Sequence, residues 1–152
     1  MGSYRRGTDT LKDIDFLVVY PKKYAKYRDK ILSGFKLNES KKPQIQTIAA
    51  NPKVQGSTHS AYVAELSGRP DTNFVIDLFL IADESLPFAL FHYTGSKTFN
   101  IRTRAYVKRM GLLLNQYGVF DAGKKLKTGI HSERDIFKYF DITYKSPKQR
   151  NE

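Results

Sequence analysis

The chain has 152 residues, 40% of them hydrophobic, with ten Tyr and ten Phe, enough for one domain or two small subdomains with an ordinary core. It has no cysteine and only three histidines, so a disulfide scaffold and a thiolate metal site are excluded, and the wide spacing of His59, His92 and His131 argues against zinc. A net charge of +11 favours polyanionic partners, nucleic acid ahead of acidic membrane surfaces, while the lack of a long apolar run or an apolar leader sets the expectation of an intracellular protein.

Gly2-Ser3 leads into a short helix predicted over Tyr4 to Thr8. Ile14 to Tyr20 is β-branched and aromatic enough to read as a buried strand, with Asp13 and Asp15 at its start. After Pro21, the spacing of Tyr24, Tyr27, Ile31 and Phe35 by three and four residues predicts a helix over Lys22 to Phe35. Residues 36–43 read as a polar loop, Ile45 to Ala50 as a strand, Asn51 to Ser60 as a segment of turn formers and Ala61 to Leu66 as another strand. "SGRPDTN" (67–73) reads as a turn, and "FVIDLFLIA" (74–82), the most apolar stretch, as a central strand with Asp77 in its middle.

The texture changes after Glu84. Residues 85–110 read as helical, broken at Thr94-Gly95-Ser96; short strands fit Leu112 to Leu114 and Tyr117 to Phe120, and "DAGKK" supplies a turn before a third. Ser132 with Asp135 three residues on is an acidic variant of the capping box and predicts a last helix to about Phe140, followed by a basic, polar tail. No repeat or low-complexity segment is present, and a subdomain boundary is expected near residues 83–95.

The chemistry rests on carboxylates. Residues i and i+2 of a strand share a face, so Asp13 and Asp15 project side by side, and like charges that close repel unless a cation lies between them. The plain reading is a polar strand end in water. The sharper one is a metal site. Asp77 likewise allows a plain reading, exposure or pairing with an arginine, because an ionised carboxylate in an apolar strand is costly to bury alone. A neighbouring strand that set Asp77 against Asp13 and Asp15 would assemble three oxygen ligands suited to Mg²⁺ or Mn²⁺, and two such ions can clamp an in-line phosphoryl displacement. Gly2 and Ser3 at a helix start and the forked guanidinium of Arg6 suit phosphate, against the plain reading of Arg5 and Arg6 as a solvated basic turn.

Four ordered segments carry a family resemblance. "GSYRRGTDTLKDID" (2–15) resembles the nucleotidyltransferase signature of the family X DNA polymerases, "VIDLF" (75–79) the strand of their third catalytic aspartate, residues 90–120 their nucleotide-binding region, and residues 131–152 their C-terminal end. The pattern "FHYTG…NQYGVF" is most similar to the compact viral members. The resemblance implies an α+β fold: a nucleotidyltransferase palm with a mixed sheet over residues 1–85, then a small α/β nucleotide-binding, thumb-like subdomain over 86–152. It implies that Asp13, Asp15 and Asp77 hold two metal ions, and that Gly2, Ser3 and Arg6 meet the phosphates of a deoxynucleoside triphosphate (dNTP). It further implies that Tyr93 and Gly95 line the sugar with His92 beside them, and that Asn100 approaches the base edge. Arg104, Lys97 and Lys108 would contact DNA, and the Gly95-Ser96 peptide would be cis.

The chain departs from the family pattern at several positions. Lys12 stands at a common glycine, Val75 at a frequent arginine, and Lys97 where some members carry an acidic residue. Family palms also have a helix and a strand before the Gly-Ser turn, where this chain has Met1, so the implied palm is N-terminally incomplete. The expected function is templated gap filling in base excision repair. The alternatives are a template-independent or RNA-directed nucleotidyltransferase and a non-catalytic DNA-binding fragment.

Overall fold

The computed structural model describes residues 1–28, 30, 45–47, 54–55, 58–66 and 69–151. A single-turn helix, α1 (Gly2–Arg6), stops at Gly7 in the left-handed conformation and leads into β1 (Asp13–Tyr20). β1 runs parallel to the long strand β5 (Arg69–Ala82), whose other side pairs antiparallel with β4 (His59–Leu66). The short strands β2 (Ile45–Thr47) and β3 (Val54–Gln55) both pair with β4, so the order is β1-β5-β4-β2 with β3 off the path.

Alternation along β5 gives the sheet two different faces. Ile76, Leu78 and Leu80 are buried with Ala64 on one face, covered in part by Val18, Tyr20, Tyr62 and Phe74. The other face presents Val75, Asp77 and Phe79 beside Asp13 and Asp15 of β1.

A short 3-10 turn, Asp83–Ser85, carries the chain into α2 (Leu86–Thr94). The helical run breaks at Gly95 and resumes in α3 (Lys97–Arg109), where the Ser96 hydroxyl caps the start by accepting from the Phe99 amide at 3.2 Å. β6 (Leu112–Asn115), β7 (Gly118–Asp121) and β8 (Lys124–Lys125) form a small antiparallel sheet. The last helix, α4 (Glu133–Tyr139), opens with the Ser132–Asp135 capping box that the sequence predicts. These elements enclose a core built largely of aromatic rings, among them Phe88, Phe91, Phe99, Phe137 and Phe140. The protein is thus of the mixed α+β class.

Four local expectations need correction. The first helix is Gly2–Arg6, not Tyr4 to Thr8, because Gly7 turns left-handed at φ 68° and ends it. Lys22–Tyr27 forms a 3-10 helix; the predicted continuation to Phe35 and the 36–43 loop fall largely outside the described residues, as do residues 48–50. His59 and Ser60, expected among turn formers, begin β4, and Val54–Gln55 is a strand. Arg69 to Asn73, expected in a turn, are the first residues of β5; the ladder to β4, with Leu66 opposite Arg69, outweighs their turn-forming composition.

Candidate active site

Register decides where the carboxylates lie. In the parallel pairing of β1 with β5, Asp15 stands directly opposite Asp77 and Asp13 opposite Val75, so Asp13, Asp15 and Asp77 occupy one face at the start of β1. The effect on Asp15 is visible: burial, then the charge of Asp13, raise its carboxyl above the ordinary range, and Asp77 adds to the shift while the terminal amine offsets part of it. That amine donates to the Asp15 carbonyl at 2.5 Å. Gly2 lies so close that a Cβ there would stand 2.0 Å from Asp15 Oδ2, and its φ of +45° also disfavours a side chain. Asp13 itself is exposed, as the plain strand-end reading expects. Asp77 pairs with no arginine among the described residues; its Oδ1 lies 2.6 Å from His59 Nε2.

Ser3 and Arg6 lie one helical turn apart in α1 and touch, Arg6 Nη2 donating to Ser3 Oγ at 3.3 Å. Arg6 is also tied to the second half of the chain, through Nη1 to the Thr94 carbonyl at 2.6 Å and Nε to Asn151 Oδ1 at 2.8 Å. Arg5 turns elsewhere, so the two adjacent arginines do different work. It donates to Glu133 at 2.8 and 3.1 Å and to the Thr94 hydroxyl. Glu133 also receives the fully buried Arg150 at 2.7 Å, and the Arg150 guanidinium sits 5.0 to 5.4 Å from the centroids of Phe137, Phe99 and Phe91. Burial alone would raise the Glu133 carboxyl, but the hydrogen bonds from Arg5 and Arg150 prevail and hold it below the ordinary range.

The end of α2 faces this assembly. Tyr93 stacks on Phe79 at 4.1 Å, and its phenol is pushed up to about 12 by burial, with smaller contributions from Tyr117 and Asp15. His92 meets Tyr93 edge-on at 4.8 Å. Its carbonyl accepts from Asn100 Nδ2 at 2.7 Å and its Nδ1 from Arg104 Nη2 at 2.6 Å. Burial, then the Arg104 charge, push the imidazole down to about 4, so it is neutral near pH 7 and its Nδ1 is free to accept. Gly95, at φ +70°, leaves just enough room for Arg6: a Cβ would lie 3.1 Å from Nη1. The Gly95-Ser96 peptide is cis.

Of the residues singled out from sequence, Gly2, Ser3, Arg6, Asp15, Asp77, Tyr93 and Gly95 thus come together, with His92, Asn100 and Arg104 in one hydrogen-bonded group beside them. Lys97 and Lys108 are not brought into that group. They sit exposed at opposite ends of α3, separated by about 16 Å at the usual helical rise. Sequence reading missed His59, Glu133, Arg150, Thr94 and Asn151. The alternation in "HSAYVAEL" sets His59, Ala61 and Val63 on one face, but only the β4–β5 register brings His59 to Asp77. Nothing in the basic tail signals a buried Arg150.

Three hard oxygen donors on one face, one of them with its carboxyl raised by burial and then by its acidic neighbours, form a donor set whose charge a divalent cation would relieve. The chemistry fits Mg²⁺ or Mn²⁺. Among the described residues, however, no three Asp, Glu, His or Cys side chains already converge into a closed metal site.

Residues 89–151 match the DNA polymerase beta thumb family. The chain is 32% identical over 151 residues to the repair DNA polymerase X of African swine fever virus, isolate Pig/Kenya, covering 99% of this chain and 79% of that protein. The corresponding protein of the Vero-adapted Badajoz strain is 31% identical over 150 residues, with the same coverage of 99% and 79%. The DNA polymerase/3′-5′ exonuclease PolX of Bacillus subtilis (strain 168) is 29% identical over 153 residues, spanning 98% of this chain and 23% of that protein. A clustered carboxylate face, an arginine-bearing Gly-Ser helix and whole-chain similarity to polymerase X proteins make this chain a member of the family X DNA polymerases.

Proposed function

We propose that this protein is a DNA-directed DNA polymerase that fills short gaps during base excision repair. Residues 1–85 would act as the palm and residues 86–152 as the nucleotide-binding, thumb-like subdomain. The observation that carries the reading is the in-register placement of Asp15 against Asp77, with Asp13 on the same face. Asp13, Asp15 and Asp77 would hold two Mg²⁺ or Mn²⁺ ions, which when bound would acidify the primer hydroxyl and stabilise charge on the leaving oxygen. The O3′–Pα bond forms as the bridge from Pα to the β-phosphate breaks and pyrophosphate departs.

The chain's own groups do the rest. Ser3 and Arg6 sit together where the β- and γ-phosphates would lie, and Arg6 keeps part of its fork on Thr94 and Asn151, so its position is set before nucleotide arrives. Tyr93 and Gly95 would line the sugar. Neutral His92 offers the nucleotide a flat face, and Asn100 lies beside it for the base edge. Arg104 would exchange His92 Nδ1 for the template strand, and Lys97 and Lys108 would meet DNA phosphates, which makes binding weaken steeply with salt.

The test is extension of a primer across a one-nucleotide gap in Mg²⁺ or Mn²⁺, opposite each template base in turn. Addition that follows the template base, and disappears in Asp77→Ala while gapped DNA still binds, is the expected result. Addition indifferent to the template, or confined to RNA, would replace this reading with another nucleotidyltransferase activity; extension surviving in Asp77→Ala would remove the carboxylate assignment.

A further inference from the structure

The geometry points to His59 as a positioning residue that holds Asp77 ready for a divalent cation, an inference that rests on reading Asp13, Asp15 and Asp77 as the metal-holding face. A lone carboxylate rotates freely about its last bond. One oxygen of Asp77 is fixed here, because Oδ1 accepts from His59 Nε2 at 2.6 Å; among the described residues that is the carboxylate's hydrogen bond, and Oδ2 is left over. The imidazole cannot readily swing away. His59 stands opposite Phe79 across β4 and β5, and its ring lies flat on Phe79 at 4.6 Å with planes 9° apart. Phe79 is itself backed by Tyr93 at 4.1 Å. The three-ring stack therefore runs from Asp77's partner to the end of α2, and it fixes the plane of the carboxylate from a neighbouring strand.

Among the described residues, no neighbouring side chain on this face replaces the contact. Val75, two residues before Asp77 on the same face, has no donor, and Ala61, directly opposite Asp77 on β4, has none either. Hydrogen bonds to the outer side of a metal-holding carboxylate orient it and raise metal affinity, and their loss typically weakens binding about 10- to 100-fold.

Mn²⁺ titration of the metal-free chain, followed by the electron paramagnetic resonance of the free ion, separates the outcomes without relying on activity. His59→Phe keeps a ring on Phe79 and removes the donor, so Mn²⁺ binding should weaken about 10- to 100-fold with little change in melting temperature. His59→Gln restores an N–H and should recover most of the loss. If His59→Phe melts far below wild type, His59→Gln against His59→Leu gives the same comparison. Binding in His59→Phe equal to wild type overturns the inference, and tighter binding does so too, because His59 would then compete with the ion. Asp13→Asn separates the two levels of the argument. If it abolishes Mn²⁺ binding while His59→Phe does not alter it, only the role of His59 falls. If Asp13→Asn leaves binding intact, the metal reading of the whole face falls with it.

Discussion

The two halves of the molecule are built for different loads. Among the described residues, the first sheet's cluster buries Ala64, Ile76, Leu78 and Leu80, and the sheet presents its acidic groups on the opposite face. Residues 86–151 close around ten buried hydrophobic residues, half of them phenylalanine, with Arg150 fully buried against three of the rings. The first half gathers like charges whose repulsion a bound cation would relieve, while the second half, closed around its aromatic core, carries Tyr93, His92 and Asn100, the groups proposed to orient a nucleotide. Substitutions on the carboxylate face should therefore appear mainly in chemistry, and those in the Glu133–Arg150 core mainly in stability.

The sharpest contrast pits Glu133 against Asp15. Glu133→Gln strips the carboxylate from between Arg5 and Arg150, leaving a buried cation without its counter-charge. That class of change costs about 3–5 kcal/mol, so the melting temperature should fall by many degrees. Asp15→Asn should do the reverse. Its carboxyl is raised in the folded protein, so the fold prefers the neutral form, and removing the charge should leave the melting temperature unchanged or higher while nucleotide addition is lost. Equal effects of the two variants on melting would erase the distinction between the halves.

Gly2→Ala tests the same boundary more finely. A methyl group at φ +45°, 2.0 Å from Asp15 Oδ2, adds about 1–2 kcal/mol of backbone strain and displaces a carboxylate. Activity should fall much further than stability, measured by primer extension alongside thermal melting. Arg6→Lys keeps the charge but loses the planar fork, so dNTP binding should weaken with duplex affinity unchanged. Nucleotide titration and salt-matched DNA binding check both parts.

The smallest expected effect is a pH dependence. Folded His92 takes up a proton only near pH 4, whereas the unfolded side chain does so near 6.5. Between those values the unfolded chain binds more protons, so stability should decline as pH falls from about 6.5 toward 4, with no contribution from His92 above that window. NMR titration of the imidazole checks it. Arg104→Met should recover only the smaller share of the shift, since burial is its main cause.

Much of this arrangement was readable in the residues. β-branched and aromatic content marked β1 as a strand, although none of its residues is buried as that reading expected. A long apolar run marked the later part of β5, the Ser132–Asp135 spacing marked α4, and Gly95-Ser96 marked the break between α2 and α3. The paired carboxylates were readable because i and i+2 share a face whatever the fold. What escaped depends on register and long-range packing. Arg69 to Asn73 look like a turn until β4 lies beside them, His59 looks isolated until it lands diagonal to Asp77, and Arg150 looks like tail until three rings surround it. His59 and Asp77 are 18 residues apart, and Phe91 and Phe99 lie further still along the chain from Arg150, whereas Arg69 to Asn73 pair with neighbours close in sequence and were hidden by their turn-forming composition.

The contact between Arg6 and Asn151 joins residues 145 apart in the chain. During synthesis the first of them leaves the ribosome long before the second exists, so the helix bearing Ser3 and Arg6 is made early but gains this anchor last. Pairing so distant in sequence forms slowly. The emerging chain can therefore assemble its sheet and carboxylate face well before Arg6, the residue proposed to meet phosphate, is locked in place, so competence for nucleotide would come later than the sheet that carries the carboxylates.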